Sequence, residues 1–232
     1  MTILTVIVPV YNETNTIVKI IDQILKIKIK KQIIVVDDCS TDGSKEKIIK
    51  NKRKINKIIF HKKNLGKGAA IRTAQKYIKG KLVIIQDADL EYDPKDYKKL
   101  IKPIIEKKSL AVYGSRVLGK KRYRTNDFTS LMRVFFNHIL TIISNFLNSQ
   151  KLTDAHTCYK VFDSKLFKKI KLNENGFAFC PEVTTKISKL KVDITEIPIS
   201  YKGRTYKQGK KISYLDGALA IFALIKYKFF DI

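Results

Sequence analysis

The sequence predicts an α/β protein: one domain on a mostly parallel sheet flanked by helices. Three observations carry that expectation. Short apolar runs alternate with stretches whose apolar residues recur at three and four, polar residues collect where the runs end, and 232 residues suffice for one substantial core. The order β-α-β-α implies parallel strands joined by crossover helices, and such sheets bind ligands beyond the carboxyl ends of their strands.

Strands are expected at 3–10 (ILTVIVPV), 32–36 (QIIVV), 57–60 (KIIF), 82–85 (LVII) and 110–113 (LAVY). Helices are expected near 15–27, 41–52, 67–79 and 95–107, the first with Ile17, Ile20, Ile21, Ile24 and Leu25 on one face. Acids gather at three strand ends: Glu13 after the first, Asp37, Asp38 and Asp42 after the second, and Asp87, Asp89 and Glu91 after the fourth. Gly114, Ser115 and Arg116 follow the fifth. From about residue 117 the pattern loosens. Residues 128–147 are apolar over most of a helical wheel, with Lys120, Lys121, Arg122 and Arg124 ahead of them, and 215–230 form another amphipathic stretch. Either segment suits a core helix or one lying on a membrane surface. Residues 1–211 read as the domain and 212–232 as an amphipathic helical tail.

The net charge of +26 favours anionic ligands. Only seven of the 47 basic residues are Arg, so the excess is Lys and reads mainly as a solvated surface rather than as a specific nucleic-acid site. Aromatics are not interleaved with the basic runs, as a stacking platform for bases requires. Cys39, Cys158 and Cys180 are widely spaced and form no C-x-x-C pair, which argues against a zinc ribbon or a disulfide framework. No basic leader precedes the first strand, and no apolar run approaches the ~18 residues that span a bilayer. A cytoplasmic protein without a transmembrane helix, soluble or peripheral at a membrane face, is expected.

Asn64-Leu65-Gly66-Lys67-Gly68 opens a helix, but Ile71 stands where a dinucleotide fingerprint needs glycine. The glycines serve a tight turn, and Lys67 and Arg72 are candidates to face a phosphate. Asp87-Ala88-Asp89-Leu90-Glu91 begins like a calcium loop, then fails: Tyr92 replaces the turn glycine and Lys98 the bidentate acid. A D-x-D at a strand end also suits an aspartyl phosphatase, although Glu91 stands where that motif wants Thr or Val. The remaining reading is a divalent cation held by few carboxylates together with substrate phosphate. Arg116, Arg204, Lys210 and Lys211 are candidates for the other phosphate oxygens.

"VIVPVYNE", "IIVVDDCSTDGS", "NLGKGAAIRTA", "IIQDADLEYDP", "VYGSR" and "ISYKGRTYKQGKKI" run in order from residue 3 to about 217. Together they resemble family 2 glycosyltransferases of the GT-A fold, in the branch of dolichyl-phosphate mannose synthases and polyprenyl-phosphate glycosyltransferases. The resemblance implies a nucleotide-sugar donor, Mg²⁺ or Mn²⁺, and a lipid-phosphate or saccharide acceptor. Pro9, Tyr11, Glu13, Val36, Asp37 and Asp38 would surround the nucleotide. Asp87, Ala88 and Asp89 would form the D-x-D element, with Asp89 and Glu91 on the metal. Arg116, Arg204 and Lys210 would meet phosphates or the anionic acceptor. Asp154 and Glu182 would line the sugar and acceptor side, with Lys186 a turn beyond. His156 and Cys180 depart from the family's usual wording there, and the transmembrane helices of many relatives are not seen in this sequence. The implied reaction is inverting transfer. A lipid phosphate is already ionised and needs no base, whereas a sugar hydroxyl would need one, for which Asp154 or Glu182 are the candidates. The alternatives are the aspartyl phosphatase and a basic nucleic-acid binder.

Overall fold

A computed structural model describes residues 3–119, 128–204 and 214–230. Lys120, Lys121, Arg122, Arg124, Lys210 and Lys211 lie outside the described residues. Five strands fall where the apolar runs predict: β1 (Leu4–Val10), β2 (Lys31–Asp37), β3 (Lys57–Phe60), β4 (Leu82–Ile85) and β5 (Ala111–Ser115). The four helices between them are α1 (Ile17–Lys26), α2 (Ser44–Lys50), α3 (Lys67–Gln75) and α4 (Tyr97–Ile105). The second half adds α5 (Phe128–Asn148), β6 (Lys160–Asp163), α6 (Ser164–Lys169), α7 (Phe179–Lys189), β7 (Ile194–Pro198) and α8 (Tyr214–Phe229).

The sheet order is β3-β2-β1-β4-β6-β5-β7. Two strands were not legible in the sequence. β7 extends the sheet parallel to β5, and β6 enters between β4 and β5, antiparallel to both. β4 and β5 are therefore not neighbours. β1, β2 and β4 are almost wholly buried, as parallel strands covered on both faces must be, and Ile17, Ile20, Ile21 and Ile24 of α1 pack into the same core.

α5, α7 and α8 pack together beside this sheet. The segment expected as a tail docks through Ala223 and Tyr227 against Ala178. The Tyr227 hydroxyl donates to Glu174 at 2.6 Å, and Lys226 pairs with the same carboxylate at 3.0 Å.

Entry into α3 depends on a close backbone approach. Gly66 has φ +94°, and a Cβ there would lie 2.5 Å from the Asn175 carbonyl oxygen. The Ala69 amide donates to that carbonyl at 3.0 Å, so the loop before α7 caps the start of α3. Gly66→Ala meets both strain and overlap, and is expected to lower stability by about 3 kcal/mol, read as a reduced urea midpoint.

Candidate active site

β1, β2 and β4 all end at one edge, and each leaves it through a residue in the left-handed region: Asn12 (φ 51°), Cys39 (φ 63°) and Leu90 (φ 64°). Such backbone is uncommon away from glycine and gathers where neighbouring contacts enforce it. The first two loops are laced together. The Ser40 hydroxyl accepts from the Asn12 amide at 2.9 Å, Asn12 Oδ1 from the Thr41 amide at 2.8 Å, and the Ser44 hydroxyl from the Glu13 amide at 2.8 Å. Pro9 and Val36 face each other in the β1–β2 ladder, and Tyr11 follows at its mouth.

Asp37 and Asp38 divide their work. Asp38 accepts from the Leu65 and Gly66 amides at 2.9 and 2.7 Å and pairs with His61 Nδ1 at 2.7 Å. It holds the glycine turn. Asp37 is buried, and its Oδ1 has no hydrogen-bond partner among the described residues, which leaves it able to accept a donor.

The fourth loop is seated on a cluster that sequence reasoning missed. Gln86, fully buried, accepts from Tyr97 and Tyr159 hydroxyls at 2.7 Å each and donates to the Asp87 carbonyl at 3.0 Å. Tyr92 and Tyr201 extend that aromatic floor, with ring centroids 5.2 Å apart. The one signal was a glutamine closing the apolar run "LVIIQ". Above the floor, Asp87 pairs with Lys67 and Asp89 Oδ1 accepts the Glu91 amide at 3.1 Å. Burial disfavours the Lys67 ammonium, but Asp87 outweighs it and the pKa rises. Burial, and next the charges of Asp87 and Glu91, push the Asp89 carboxyl up to about 7.

Arg204 closes this edge from the far end of the chain. Its guanidinium grips Glu13 at 2.8 and 3.1 Å and lies 3.4 Å from Asp89 Oδ2. Glu91 anchors the same segment, accepting the Arg204 amide at 2.6 Å and the Tyr201 hydroxyl at 2.9 Å. The structure thus brings Glu13, Asp89, Glu91 and Arg204 together, with Glu91 already serving as a clamp.

Five further residues of the sequence reading are engaged by other parts of the chain. Arg116 was read as a phosphate ligand and Asp154 as a lining acid or base, yet they pair with each other. Asp154 accepts Arg116 Nε at 2.7 Å, Nη2 at 2.8 Å and the backbone amide at 3.0 Å. Burial works against the Asp154 charge, but Arg116 outweighs it and holds the carboxyl below its ordinary range, which makes it a poor base. Glu182 accepts the Asn173 and Glu174 amides at 2.6 and 2.9 Å and Lys186 at 3.0 Å. Lys186 also donates to the Lys171 carbonyl at 2.6 Å and lies 4.4 Å from the centroid of the Tyr227 ring under α8. Glu182 and Lys186 therefore brace the loop before α7. Arg72 donates to the Asn173 carbonyl and to Asn175 Oδ1, both at 2.7 Å, rather than facing a phosphate. His156 is partly exposed, although its Nε2 is covered and has no partner among the described residues, and desolvation, then Lys160, push its pKa down to about 3.

This topology with acids at its carboxyl edge is the GT-A arrangement. The glycosyl transferase family 2 model matches residues 5–171, and the chain belongs to that family; it is a glycosyltransferase rather than a phosphatase. It is 29% identical to an uncharacterized protein of Methanocaldococcus jannaschii, over 97% of this chain and 92% of that one. It is also 29% identical to the dolichyl-phosphate beta-glucosyltransferase of Saccharomyces cerevisiae, over 85% of this chain and 66% of the yeast protein. The chain thus spans about two thirds of the yeast protein's length. Among solved structures, glucosyl-3-phosphoglycerate synthase of Mycobacterium tuberculosis superposes with a TM-score of 0.73 at 16% identity, covering 100% of this chain and 80% of that one. At that identity the likeness establishes the fold.

Two outcomes check this geometry. A raised carboxyl means that the folded state binds the proton more tightly than the unfolded chain, so metal-free protein loses stability as pH climbs from 3.8 to about 7. Asp89→Asn is expected to melt a few degrees above wild type at pH 8 without metal, with the gap closing toward pH 4, by scanning calorimetry. Glu182→Ala removes the carboxylate opposite the buried Lys186 and the acceptor of two loop amides, so it should cost about 3 kcal/mol in stability while the pH profile of turnover by the folded fraction stays that of wild type. A base at Glu182 would instead remove the acid limb.

Proposed function

We propose that this glycosyltransferase moves a sugar, with inversion, from a nucleotide-sugar to a polyprenyl phosphate, with Mg²⁺ or Mn²⁺ as cofactor, at the cytoplasmic face of a membrane. The observation that carries the reading is Asp89, a partly buried carboxyl crowded by Asp87 and Glu91 at the carboxyl end of β4. Among the described residues no three acid, His or Cys side chains converge as a complete metal cage. That donor set fits an oxygen-seeking divalent ion taking one or two protein ligands, Asp89 and Glu91, and filling its remaining positions from diphosphate and water. When bound, such an ion stabilises the negative charge on the leaving nucleoside diphosphate.

The chain's own residues do the rest. Asp37 Oδ1 accepts an N–H from the nucleotide base, between walls supplied by Pro9, Tyr11, Val36 and Ala88. Glu13 aims the Arg204 guanidinium toward the diphosphate side of Asp89, and Lys210 adds charge from the segment that follows. Lys67 pairs with Asp87 and holds it in place beside Asp89. Because Asp154 and Glu182 are already engaged, the arrangement favours an acceptor that needs no proton removed, as an ionised phosphate does. The yeast relative is named for a dolichyl-phosphate acceptor, and the mycobacterial neighbour was crystallised with Mn²⁺, UDP and the anionic phosphoglyceric acid. The first supports the acceptor, the second the metal and the nucleotide.

Purified protein with Mn²⁺, a panel of nucleotide-sugars and a polyprenyl phosphate should form the glycolipid from one donor. Asp89→Ala should lower the rate by about 100-fold or more. No lipid product from any donor, or full activity in Asp89→Ala, overturns the proposal.

A further inference from the structure

α5 buries polar residues and exposes apolar ones, and α8 is apolar on both its buried and its exposed faces. On α5 the buried face carries Thr141, Ser144 and Asn148, while Phe135, Ile142 and Phe146 point outward, Phe146 at 85% exposure. Much of the polar face is paired from within: Asn148 Nδ2 donates to the Thr185 hydroxyl at 3.1 Å, and the Ser188 hydroxyl donates to the Asn148 carbonyl at 2.7 Å, while Asn148 Oδ1 finds no donor among the described residues. On α8 the small Ala220 and Ala223 turn inward beside Leu224 and Tyr227, and Phe222 and Phe229 stand out at 63% and 64%. A helix facing water turns polar and charged residues outward. The two helices pack against each other, so these exposed aromatic and aliphatic residues lie on neighbouring elements.

We infer that the outward face of α5 and α8 docks on an anionic lipid surface. Charge selects that occupant. The sequence of the two helices holds one acid, Asp216, and the chain as a whole carries +26. A second copy of so basic a chain is repelled, while an anionic bilayer is attracted. Among the described residues no helix is long and apolar enough to cross a membrane, so the pair lies on the surface with its aromatic residues in the headgroup region. The face is also tied to the site. Lys226 and Tyr227 grip Glu174 in the loop that caps α3, and Lys67 at the start of α3 pairs with Asp87 and lies 5.9 Å from the Phe177 ring centroid.

This deepens the lipid-phosphate reading, yet its test is independent of it. The protein is sedimented with vesicles of phosphatidylcholine alone and of phosphatidylcholine with phosphatidylglycerol, neither containing donor or acceptor. Wild type should pellet with the anionic vesicles, and more weakly with the neutral ones and at high salt. The combined Phe146→Ser, Phe222→Ser, Phe229→Ser variant should bind more than about tenfold more weakly. Unchanged circular dichroism and unchanged binding of UDP or GDP with Mn²⁺ would confirm that the variant is folded. Equal binding by variant and wild type, or no vesicle binding by wild type, overturns the inference. So does a wild-type dimer that the same substitutions dissociate, since a second copy would then own the face. Vesicle binding without glycolipid formation would leave the docking face standing and defeat the lipid-phosphate acceptor.

Discussion

A carboxylate taken out of water must find donors, and the loops around this site are shaped by carboxylates that have found them. Asp38 gathers the turn before α3, Glu91 the segment through Arg204, Asp154 the end of β5, and Glu182 the loop before α7. Glu196 of β7 does the same for the approach to β6, accepting the Thr153 and Asp154 amides at 2.7 and 2.9 Å. In each case a side chain on one element collects backbone N–H groups from another. Irregular backbone thereby acquires the fixed geometry that positioning a substrate demands.

Asp89 differs from all of these. Its nearest charges are two other acids and, at 3.4 Å, an arginine already committed to Glu13. Asp38, Glu91, Asp154, Glu182 and Glu196 draw backbone amides from another element, whereas Asp89 accepts the Glu91 amide of its own loop and carries the electrostatic cost of its neighbours. That asymmetry separates a scaffold acid from a site acid more clearly than the motif does, because both kinds occur within five residues of one another at 87–91. Arg116 and Arg204 illustrate the same division among the cations: one is consumed by Asp154 inside the scaffold, and the other stands at the edge of the acid cluster.

The first half of the fold was legible because its signal is local. Val and Ile runs mark buried parallel strands, and the helices between them carry their stripe at the right spacing. β6 was hidden because "KVFD" begins with a lysine. Lys160 is nonetheless fully buried, its ammonium donating to the Ala155 and Thr157 carbonyls and sitting 4.2 Å from the Tyr113 ring centroid. β7 was hidden because it is a half-buried edge strand with a charged residue at its centre. At the site, the acids that crowd Asp89 were readable since they share one loop. Pairings such as Arg116 with Asp154, or Arg204 with Glu13, join residues 38 and 191 positions apart, and no spacing rule reports them.

The antiparallel β6 also sets the order in which the molecule can be completed. β4 and β5 lie close in sequence but never pair; each waits for β6, whose Val161 sits opposite both Ile84 and Val112. Until residues 160–163 have left the ribosome, each of these strands presents a bare, strongly apolar edge, the template on which chains join their neighbours. The long α5 and its outward aromatics are made during that interval. A nascent chain of this protein is therefore most vulnerable to aggregation just before its last buried strand arrives, and its synthesis gains from anything that shields both surfaces together.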